Sequence, residues 1–278
     1  MQRTPLTIIT GGSRGIGRDL LRPLLERTDV LSLSRSEIDP ASIEASEHRL
    51  FQLQCDLTQV DRTIEGLDQW LAEHSSHIVD TFISCAAVLD LCWLSKTDTL
   101  SASFDRAFQI NALAPIAISS HINRINRFRD DGARILYVTS SLARPVPALT
   151  FAGLGLYSAT KSALERLAQI QAREFDLSSR KTKVVLAHPG IVDTDMQREL
   201  RASDLMDPAF AVKTAGLPAY QEGDWDRQAP DTAMRTISPR FSADFLMWIV
   251  ERNVELLDPY YDFYTASGFH GAALQSVR

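Results

Sequence analysis

The sequence has little of what several protein classes require. Its three cysteines, Cys55, Cys85 and Cys92, match no metal-ligand spacing. Such a set favours structural thiols in a reducing compartment over a redox or metal role. No apolar run approaches the roughly 18 residues that a membrane-spanning helix needs. Acidic residues outnumber basic ones, giving a net charge of −6. These absences argue against a membrane protein and give no electrostatic support for nucleic-acid binding.

The amino terminus shows no targeting segment. Met1 to Pro5 leads directly into an apolar run, residues 6–9, that is too short for the core of a signal peptide. The sequence therefore predicts a cytoplasmic protein. Its hydrophobic content of 45% and charged content of 23% are ordinary for a globular chain. Its length is compatible with one α/β domain.

The chain alternates short β-type runs with longer helical runs, which is typical of a parallel sheet flanked by helices. Near-continuous apolar character predicts strands that are buried on both faces, at 6–10, 30–34, 50–55, 80–84, 134–139 and 183–187, with a last strand at 260–264. Helical patterns cover 15–27, 60–73, 104–127, 157–175 and 241–252. In the fourth of these, Ala163, Leu164, Leu167 and Ile170 predict a stripe that faces the core.

Residues 193–239 depart from this alternation. The segment contains several prolines and glycines, mixed charge and weak periodicity. It predicts an excursion with one or two short helices that closes over a substrate, rather than a second domain. Its large apolar side chains either line a substrate pocket or pack inside this lid, and the sequence favours neither: Met196, Leu200, Leu205, Met206, Phe210 and Trp225.

A glycine-rich loop joins the first predicted strand to the first predicted helix. Its glycines allow the backbone to turn tightly and to approach a pyrophosphate at the helix N-terminus. In isolation such a loop can be a simple turn, but its place between strand and helix favours dinucleotide binding. The loop residues predicted to bind the cofactor are Gly11, Ser13, Arg14, Gly15, Ile16 and Gly17.

The end of the second predicted strand indicates which dinucleotide binds. Enzymes that use NAD place a carboxylate there for the ribose hydroxyl, whereas this strand ends in Ser34 and Arg35. The guanidinium groups of Arg35 and Arg14 are suited to a 2′-phosphate. The alternative is that both arginines are simply solvated. The sequence therefore predicts NADP(H) as the cofactor.

Tyr157 and Lys161 lie four residues apart at the start of an apolar helical pattern, on one helix face. A cation about 4–5 Å from a phenol lowers the phenol's pKa toward neutral pH.

Upstream, Ser140 and Ser141 end the fifth predicted strand, at the sheet edge where α/β folds bind ligands. A hydroxyl there can hold a carbonyl. Asn111 lies within a predicted helix, where asparagine is unfavoured, and is either functional or an ordinary surface residue.

Together these pieces resemble the short-chain dehydrogenase/reductase family over nearly the whole chain. The matching segments, in family order, are residues 10–17, 56–57, Asn111, Ser140, Tyr157 with Lys161, and 189–194. The resemblance implies an α/β fold, a Rossmann-type doubly wound parallel β-sheet flanked by helices, in a single domain over residues 1–278. It also implies hydride transfer between NADP(H) and a ketone, dicarbonyl or alcohol.

The resemblance implies a role for each matching residue. Tyr157 would be the general acid/base, Lys161 would lower its pKa and hold the nicotinamide ribose, and Ser140 would orient the carbonyl. Asn111 would support a water in a proton relay. Asp56 would contact the adenine. The other positions implied to bind the cofactor are Leu57, Ala86, Pro189, Gly190, Ile191 and Thr194.

Residues 189–197 and the closing Asp262-Phe263-Tyr264 resemble the sepiapterin reductase and benzil reductase subgroup, whose members reduce adjacent dicarbonyls with NADPH.

Residues 84–87 depart from the family pattern, because Ser-Cys-Ala-Ala replaces Asn-Asn-Ala-Gly. Ala87 gives up the freedom of glycine at positive φ, so a loss of cofactor affinity is expected. The 142–156 loop is longer than usual and is expected to reshape the pocket. Strand register favours Ser140 over Ser141 as the orienting serine.

The leading interpretation is an NADPH-dependent carbonyl reductase that acts on a small-molecule carbonyl or alcohol. A non-catalytic NADP(H)-binding sensor or regulatory protein is the alternative, supported by residues 84–87. A third interpretation keeps the enzyme but changes the substrate to a ketoacyl thioester, a steroid or a sugar. No nucleic-acid or membrane partner is expected. The resemblance implies a homodimer or homotetramer with contacts through helices 104–127 and 157–175, unless their apolar faces are used wholly on the sheet.

Overall fold

A seven-stranded parallel sheet forms the centre of the computed structural model, which describes residues 3–43, 46–96, 100–178, 180–210 and 236–270. Its strands are β1 (Thr4–Thr10), β2 (Asp29–Ser34), β3 (Leu50–Gln54), β4 (His77–Ser84), β5 (Arg134–Val138), β6 (Lys183–His188) and β9 (Tyr260–Asp262). Their spatial order is β3-β2-β1-β4-β5-β6-β9. The short strands β7 (Ile191–Val192) and β8 (Thr236–Ile237) form a separate parallel pair.

Helices cover both faces of the sheet. They are α1 (Gly15–Leu25), α2 (Val60–Glu73), α3 (Leu100–Phe108), α4 (Ala114–Arg124), α5 (Gly155–Leu177), α6 (Asp195–Ala202) and α7 (Pro239–Glu251). On one face, Leu24 of α1 and Phe245 of α7 belong to one buried cluster. On the other, Leu67, Ile118 and Leu164 from α2, α4 and α5 belong to a second. The predicted doubly wound Rossmann-type fold in a single domain is confirmed.

The strand order reverses between β1 and β4, which lie side by side although two strands separate them in sequence. From β1 the chain proceeds outward through β2 and β3, and from β4 it proceeds in the opposite direction through β5 and β6. A crevice therefore opens at the carboxyl ends of the strands at this point, which is where open α/β sheets bind ligands. This topology brings together the loops that carry the predicted motifs.

The predicted helix at 104–127 is interrupted. The structure has α3 ending at Phe108, a π-helical turn at Gln109–Leu113, and α4 beginning at Ala114. The side chain of Asn111 lies within the π turn and hydrogen-bonds to the main chain of Val88 and to Thr160. π turns inside helices commonly occur at functional sites. The unfavoured position of Asn111 thus coincides with a local change of helix type.

The predicted core stripe of the long helix α5 is only partly right. Leu164, Ala168 and Phe175 are buried, whereas 44% of Ile170 is exposed to solvent. The buried residues follow one another at spacings of four and seven, so they share the face that packs on the sheet. Ile170 lies outside that row and was assigned to the core in error.

The segment predicted as an excursion begins with one short helix, α6, as expected, and returns through β8. Residues 211–235, with Trp225, lie outside the described part of the chain. Within the described residues, no helix combines the length and the apolar character needed to cross a bilayer.

Candidate active site

One cleft at the carboxyl edge of the sheet gathers most of the predicted site residues. The predicted residues that line it are Gly11, Ser13, Arg14, Gly15, Ile16, Gly17, Ser34, Arg35, Asp56, Leu57, Ala86, Ser140, Tyr157, Lys161, Pro189, Gly190 and Thr194. Asn111 and Ile191 are not among the lining residues. The glycine loop, the ends of β2 and β3, and the start of α5 therefore share one continuous surface.

The glycine loop is packed so tightly that it has no room for a side chain at Gly11 or Gly17. A Cβ on Gly11, whose φ is +76°, would lie 2.8 Å from the N and Cα atoms of Ala86. A Cβ on Gly17 would lie 2.3 Å from the main-chain oxygen of Gly11. Arg14 occupies the N-cap position of α1 and makes no side-chain hydrogen bond to the helix. A bare backbone at a helix N-terminus of this kind fits the phosphates of a dinucleotide.

Two arginines and one carboxylate lie along the same side of the cleft. Arg14 and Arg35 are exposed, and both line it. The pKa of Asp56 is lowered, mainly because its carboxylate accepts the main-chain N–H of Thr58 at 2.9 Å. The positive charge of Arg35 contributes to the same lowering of the pKa. The acidic group in this region thus follows β3, while β2 ends in Ser34 and the cation Arg35.

Ser140 and Tyr157 meet inside the cleft. Burial raises the pKa of Tyr157 to about 12, and a hydrogen-bond interaction with Ser140 opposes part of that rise. The hydroxyl oxygen of Ser140 also accepts the main-chain N–H of Leu142 at 3.2 Å, which fixes its position. Ser141 begins a short 3₁₀ turn and is not among the residues that line the cleft. The geometry therefore favours Ser140 over Ser141 as the serine beside the tyrosine.

Lys161 lies beside Tyr157 but is directed at the main chain. Its Nζ atom donates to the carbonyl oxygen of Val138 at 2.9 Å and lies 5.9 Å from the centre of the Tyr157 ring. Burial lowers the pKa of Lys161 to about 8, although Cys85 and Glu165 oppose this. Lys161 is not among the causes that shift the pKa of Tyr157, so its expected effect on the phenol stays a prediction.

Asn111 lies behind the cleft and has no exposed surface. Its Oδ1 accepts the N–H of Val88, and its Nδ2 donates to the carbonyl of Val88 and to Thr160, all between 2.9 and 3.0 Å. The side chain thereby fixes the segment after β4 to α5. Both amide hydrogens are used in these contacts, whereas Oδ1 accepts one of the two hydrogen bonds that an amide oxygen can take.

The turn that follows β6 is held by residues that sequence reasoning missed. Ile191 donates its N–H to the phenol oxygen of Tyr264 at 2.8 Å, and Ser242 donates to the carbonyl of Pro189 at 2.9 Å. His188, which lines the cleft, lies 3.4 Å from a carboxylate oxygen of Asp262. Tyr264 is 73 residues away from Ile191 in sequence. Such a contact leaves no local pattern in the sequence.

Part of the cleft is lined by an apolar wall. Leu154, Leu200, Met206 and Phe210 form a buried cluster, and Leu154 and Leu200 line the cleft. Among the other lid residues, Met196 lines the cleft, whereas Met206 and Phe210 pack within the cluster. Leu205 is 46% exposed, and Trp225 lies outside the described residues. Both sequence interpretations of the lid therefore apply, each to different residues.

Ala87 does not need the freedom of glycine. Among the described residues, Asn126 is the sole non-glycine residue with a positive φ. Ala87 lines the cleft with an ordinary backbone conformation. The reason given for a loss of cofactor affinity at residues 84–87 is thereby removed.

Comparisons with known proteins agree with this geometry. The family model described as short chain dehydrogenase matches residues 5–205. Carbonyl reductase (NADPH) 2 of Sus scrofa is 28% identical over 207 residues, covering 74% of this chain and 78% of the relative. Benzil reductase ((S)-benzoin forming) of Bacillus cereus is 25% identical over 201 residues, covering 70% of this chain and 78% of the relative.

Among solved structures, a short chain dehydrogenase from Burkholderia cenocepacia J2315 in complex with NADP superposes with a TM-score of 0.69 at 25% identity. The superposition covers 94% of this chain and 95% of that one. Because the family model spans most of the chain and the structural match spans nearly all of it, the chain belongs to the short chain dehydrogenase family of oxidoreductases.

Proposed function

We propose that the protein is a carbonyl reductase that uses NADPH to reduce a ketone or dicarbonyl to an alcohol. The observation that carries this proposal is the meeting of Tyr157, Ser140 and Lys161 in the cleft that also contains the glycine loop. An acid, a carbonyl-orienting hydroxyl and a dinucleotide cradle are the parts that such a reduction needs.

In the proposed mechanism, Ser140 and Tyr157 both act on the carbonyl oxygen. Ser140 donates a hydrogen bond to the carbonyl oxygen and directs it toward Tyr157. NADPH, when bound, supplies the hydride for the carbonyl carbon. Tyr157 gives its phenolic proton to the carbonyl oxygen, which becomes the alcohol. Because burial raises the pKa of Tyr157 to about 12, the phenol is protonated at neutral pH. That is the state in which a general acid must start the reduction.

Lys161 is positioned to serve the proton donor and the cofactor together. Its buried ammonium lies at the cleft beside Tyr157 and is fixed by the carbonyl of Val138. In the proposed mechanism it stabilises the phenolate that remains after proton transfer and holds the nicotinamide ribose. The cost of burying this cation is consistent with a requirement for positive charge at the reacting centre.

Two features support NADPH over NADH. Arg14 and Arg35 line the cleft and are exposed, so their guanidinium groups are accessible to a 2′-phosphate. The end of β2 presents Ser34 and Arg35, with no carboxylate in those positions for a ribose hydroxyl. The name of the Sus scrofa relative specifies NADPH, which agrees with this choice.

An adjacent dicarbonyl with apolar substituents is the proposed substrate class. Leu154 and Leu200, which line the cleft and pack on Met206 and Phe210, favour an apolar substrate over a sugar. The benzil reductase of Bacillus cereus is named for such a dicarbonyl.

We further propose a homo-oligomer, since 39% of Leu113 and 44% of Ile170 are exposed on the helices expected to form its contacts.

The replacement Tyr157→Phe tests the proposed function. It keeps the ring and removes the proton, so turnover of benzil with NADPH should be abolished while NADPH binding is retained. Loss of NADPH absorbance measures turnover, and calorimetry measures the dissociation constant. Benzil reduction by the variant would refute the mechanism. Tight NADPH binding by the wild type without turnover of any carbonyl would instead favour the sensor interpretation.

A further inference from the structure

Gln197 has a polar atom that the described part of the chain does not satisfy. Its Oε1 is buried and has no hydrogen-bond partner among the described residues. The residue lines the same cleft as Tyr157 and Ser140. A buried carbonyl oxygen that has lost water without gaining a donor is unfavourable, and such groups in native proteins call for an explanation.

The position of Gln197 on α6 places it between the two functional parts of the cleft. Residues three apart on a helix are neighbours on its surface, so Gln197 lies between Thr194 and Leu200. Thr194 packs against Gly15 of the glycine loop, because a Cβ on Gly15 would lie 3.4 Å from the Thr194 methyl carbon. Leu200 belongs to the apolar wall. Gln197 is therefore the polar residue at the boundary between the cofactor cradle and the apolar wall.

The nearby hydroxyl groups already have other tasks. Ser140 and Tyr157 interact with each other and, under the proposed function, both donate to the reacting carbonyl oxygen. The neighbouring wall residues Leu154 and Leu200 offer no side-chain donor. Among the described residues, none is therefore left to donate to Oε1 of Gln197, and a molecule bound in the cleft can supply the donor.

We propose that Gln197 accepts a hydrogen bond from a hydroxyl group on the carbon next to the reacting carbonyl. This rests on the proposed function and extends its substrate class from adjacent dicarbonyls to α-hydroxy ketones with apolar substituents. A plain diketone fits the same apolar wall and leaves Oε1 unpaired. The inference concerns a specificity-determining residue and adds no step to the reaction.

Benzil and benzoin provide a matched pair of probes, since they share a skeleton and benzoin carries a hydroxyl where benzil has its second carbonyl. Gln197→Met has a similar size and lacks the acceptor. It should lower kcat/KM for benzoin by about tenfold, the effect of one neutral hydrogen bond, and lower that for benzil by much less. Glu199→Met, at an exposed position of α6, is the control and should change neither.

Three outcomes would overturn the inference. One is an equal loss for both ketones in Gln197→Met, and another is unchanged turnover of benzoin. The third is a weaker NADPH dissociation constant in this variant, which would assign Gln197 to the cofactor. If neither ketone is reduced by the wild type, the proposed function fails separately. Calorimetric binding of benzoin in the presence of NADP⁺ then decides the inference, which requires weaker binding by Gln197→Met than by the wild type.

Discussion

Burial shifts the pKa values of Tyr157 and Lys161 in opposite directions, and both shifts follow from one cause. A low-dielectric cleft disfavours charge, so the pKa of the phenol rises to about 12 and that of the ammonium falls to about 8. The phenol is thus kept in its proton-donating form. The charge of the Lys161 ammonium therefore changes with pH near the physiological range.

The lowered pKa of Lys161 predicts a specific pH dependence of stability. Between pH 8 and its ordinary pKa of 10.5, the unfolded state binds more protons at this residue than the folded state does. Stability relative to the uncharged variant Lys161→Met should therefore rise across this window, by about 3 kcal/mol in total. Below pH 8 both states carry the charge and the difference should be constant.

Urea unfolding of both proteins at a series of pH values from 7 to about 10.5 measures this difference. The raised pKa values of Tyr157 and Cys85 act against stability above pH 9 and are shared by both proteins, so they largely cancel. Parallel stability curves for the two proteins would show that the Lys161 ammonium is not destabilised by burial.

Ala87 provides a second prediction at the scale of one residue. Because its φ is not positive, Ala87→Gly should leave the NADPH dissociation constant unchanged. The variant should lose about 0.4–1 kcal/mol of unfolding free energy, because glycine gives the unfolded chain more freedom. Calorimetry and chemical denaturation measure the two quantities. Tighter NADPH binding by the glycine variant would mean that cofactor binding changes the backbone at this position.

At the scale of elements, the π turn at Gln109–Leu113 depends on Asn111. Asn111→Ala would leave the N–H and the carbonyl of Val88, together with Thr160, without these hydrogen bonds. We expect a loss of about 2–4 kcal/mol in the free energy of unfolding, since buried polar groups would be left unpaired. Chemical denaturation provides the measurement.

Asn123 on α4 is the matched control for this prediction. Its Oδ1 has no hydrogen-bond partner within the described ranges, so Asn123→Ala should cost much less than Asn111→Ala. Equal losses in the two variants would argue that helix context, rather than the bridge to Val88, determines the cost at Asn111.

The strands could be predicted because the sheet is covered on both faces. All six residues of β2 are buried, and three of them are the apolar Val30, Leu31 and Leu33. The predicted strand at 30–34 began one residue late, because Asp29 is polar. The predicted strand at 80–84 began at Asp80 and missed three residues at the start of β4. The side chains of Asp29 and His77 hydrogen-bond to each other at 2.9 Å across the sheet. A buried polar pair between distant segments cannot be recognised from either segment alone.

The candidate site, like the strands, could be predicted from the sequence only in part. The segments after β1, β5 and β6 could be placed together from sequence, because parallel strands bring their carboxyl ends to one edge. Tyr264 and Gln197 were missed as functional residues. The contact of Tyr264 with Ile191 joins the last strand region to the turn after β6. The importance of Gln197 depends on an unpaired atom that only the folded structure defines.

At the scale of the whole molecule, the cleft connects both halves of the sheet. Its lining comes from the loops after β1, β2 and β3 on one side and after β4, β5 and β6 on the other. A ligand that touches both sets of loops is bound only by the folded chain. Its binding free energy therefore adds to the stability of the complete fold rather than to one element.

This coupling predicts a cofactor-dependent rise in the Tm. A ligand at a hundred times its dissociation constant stabilises a protein by about 2.7 kcal/mol, which corresponds to a shift of several degrees for a domain of this size. At equal concentrations, NADPH should raise the Tm more than NADH does, because only NADPH carries the 2′-phosphate proposed to bind Arg14 and Arg35. Differential scanning fluorimetry measures both shifts.

In Arg35→Ser the Tm shift caused by NADPH should fall toward that caused by NADH, while the shift caused by NADH stays the same. Equal shifts for the two cofactors in the wild type would contradict the proposed preference for NADPH, while leaving the assignment of the cleft as the dinucleotide site intact.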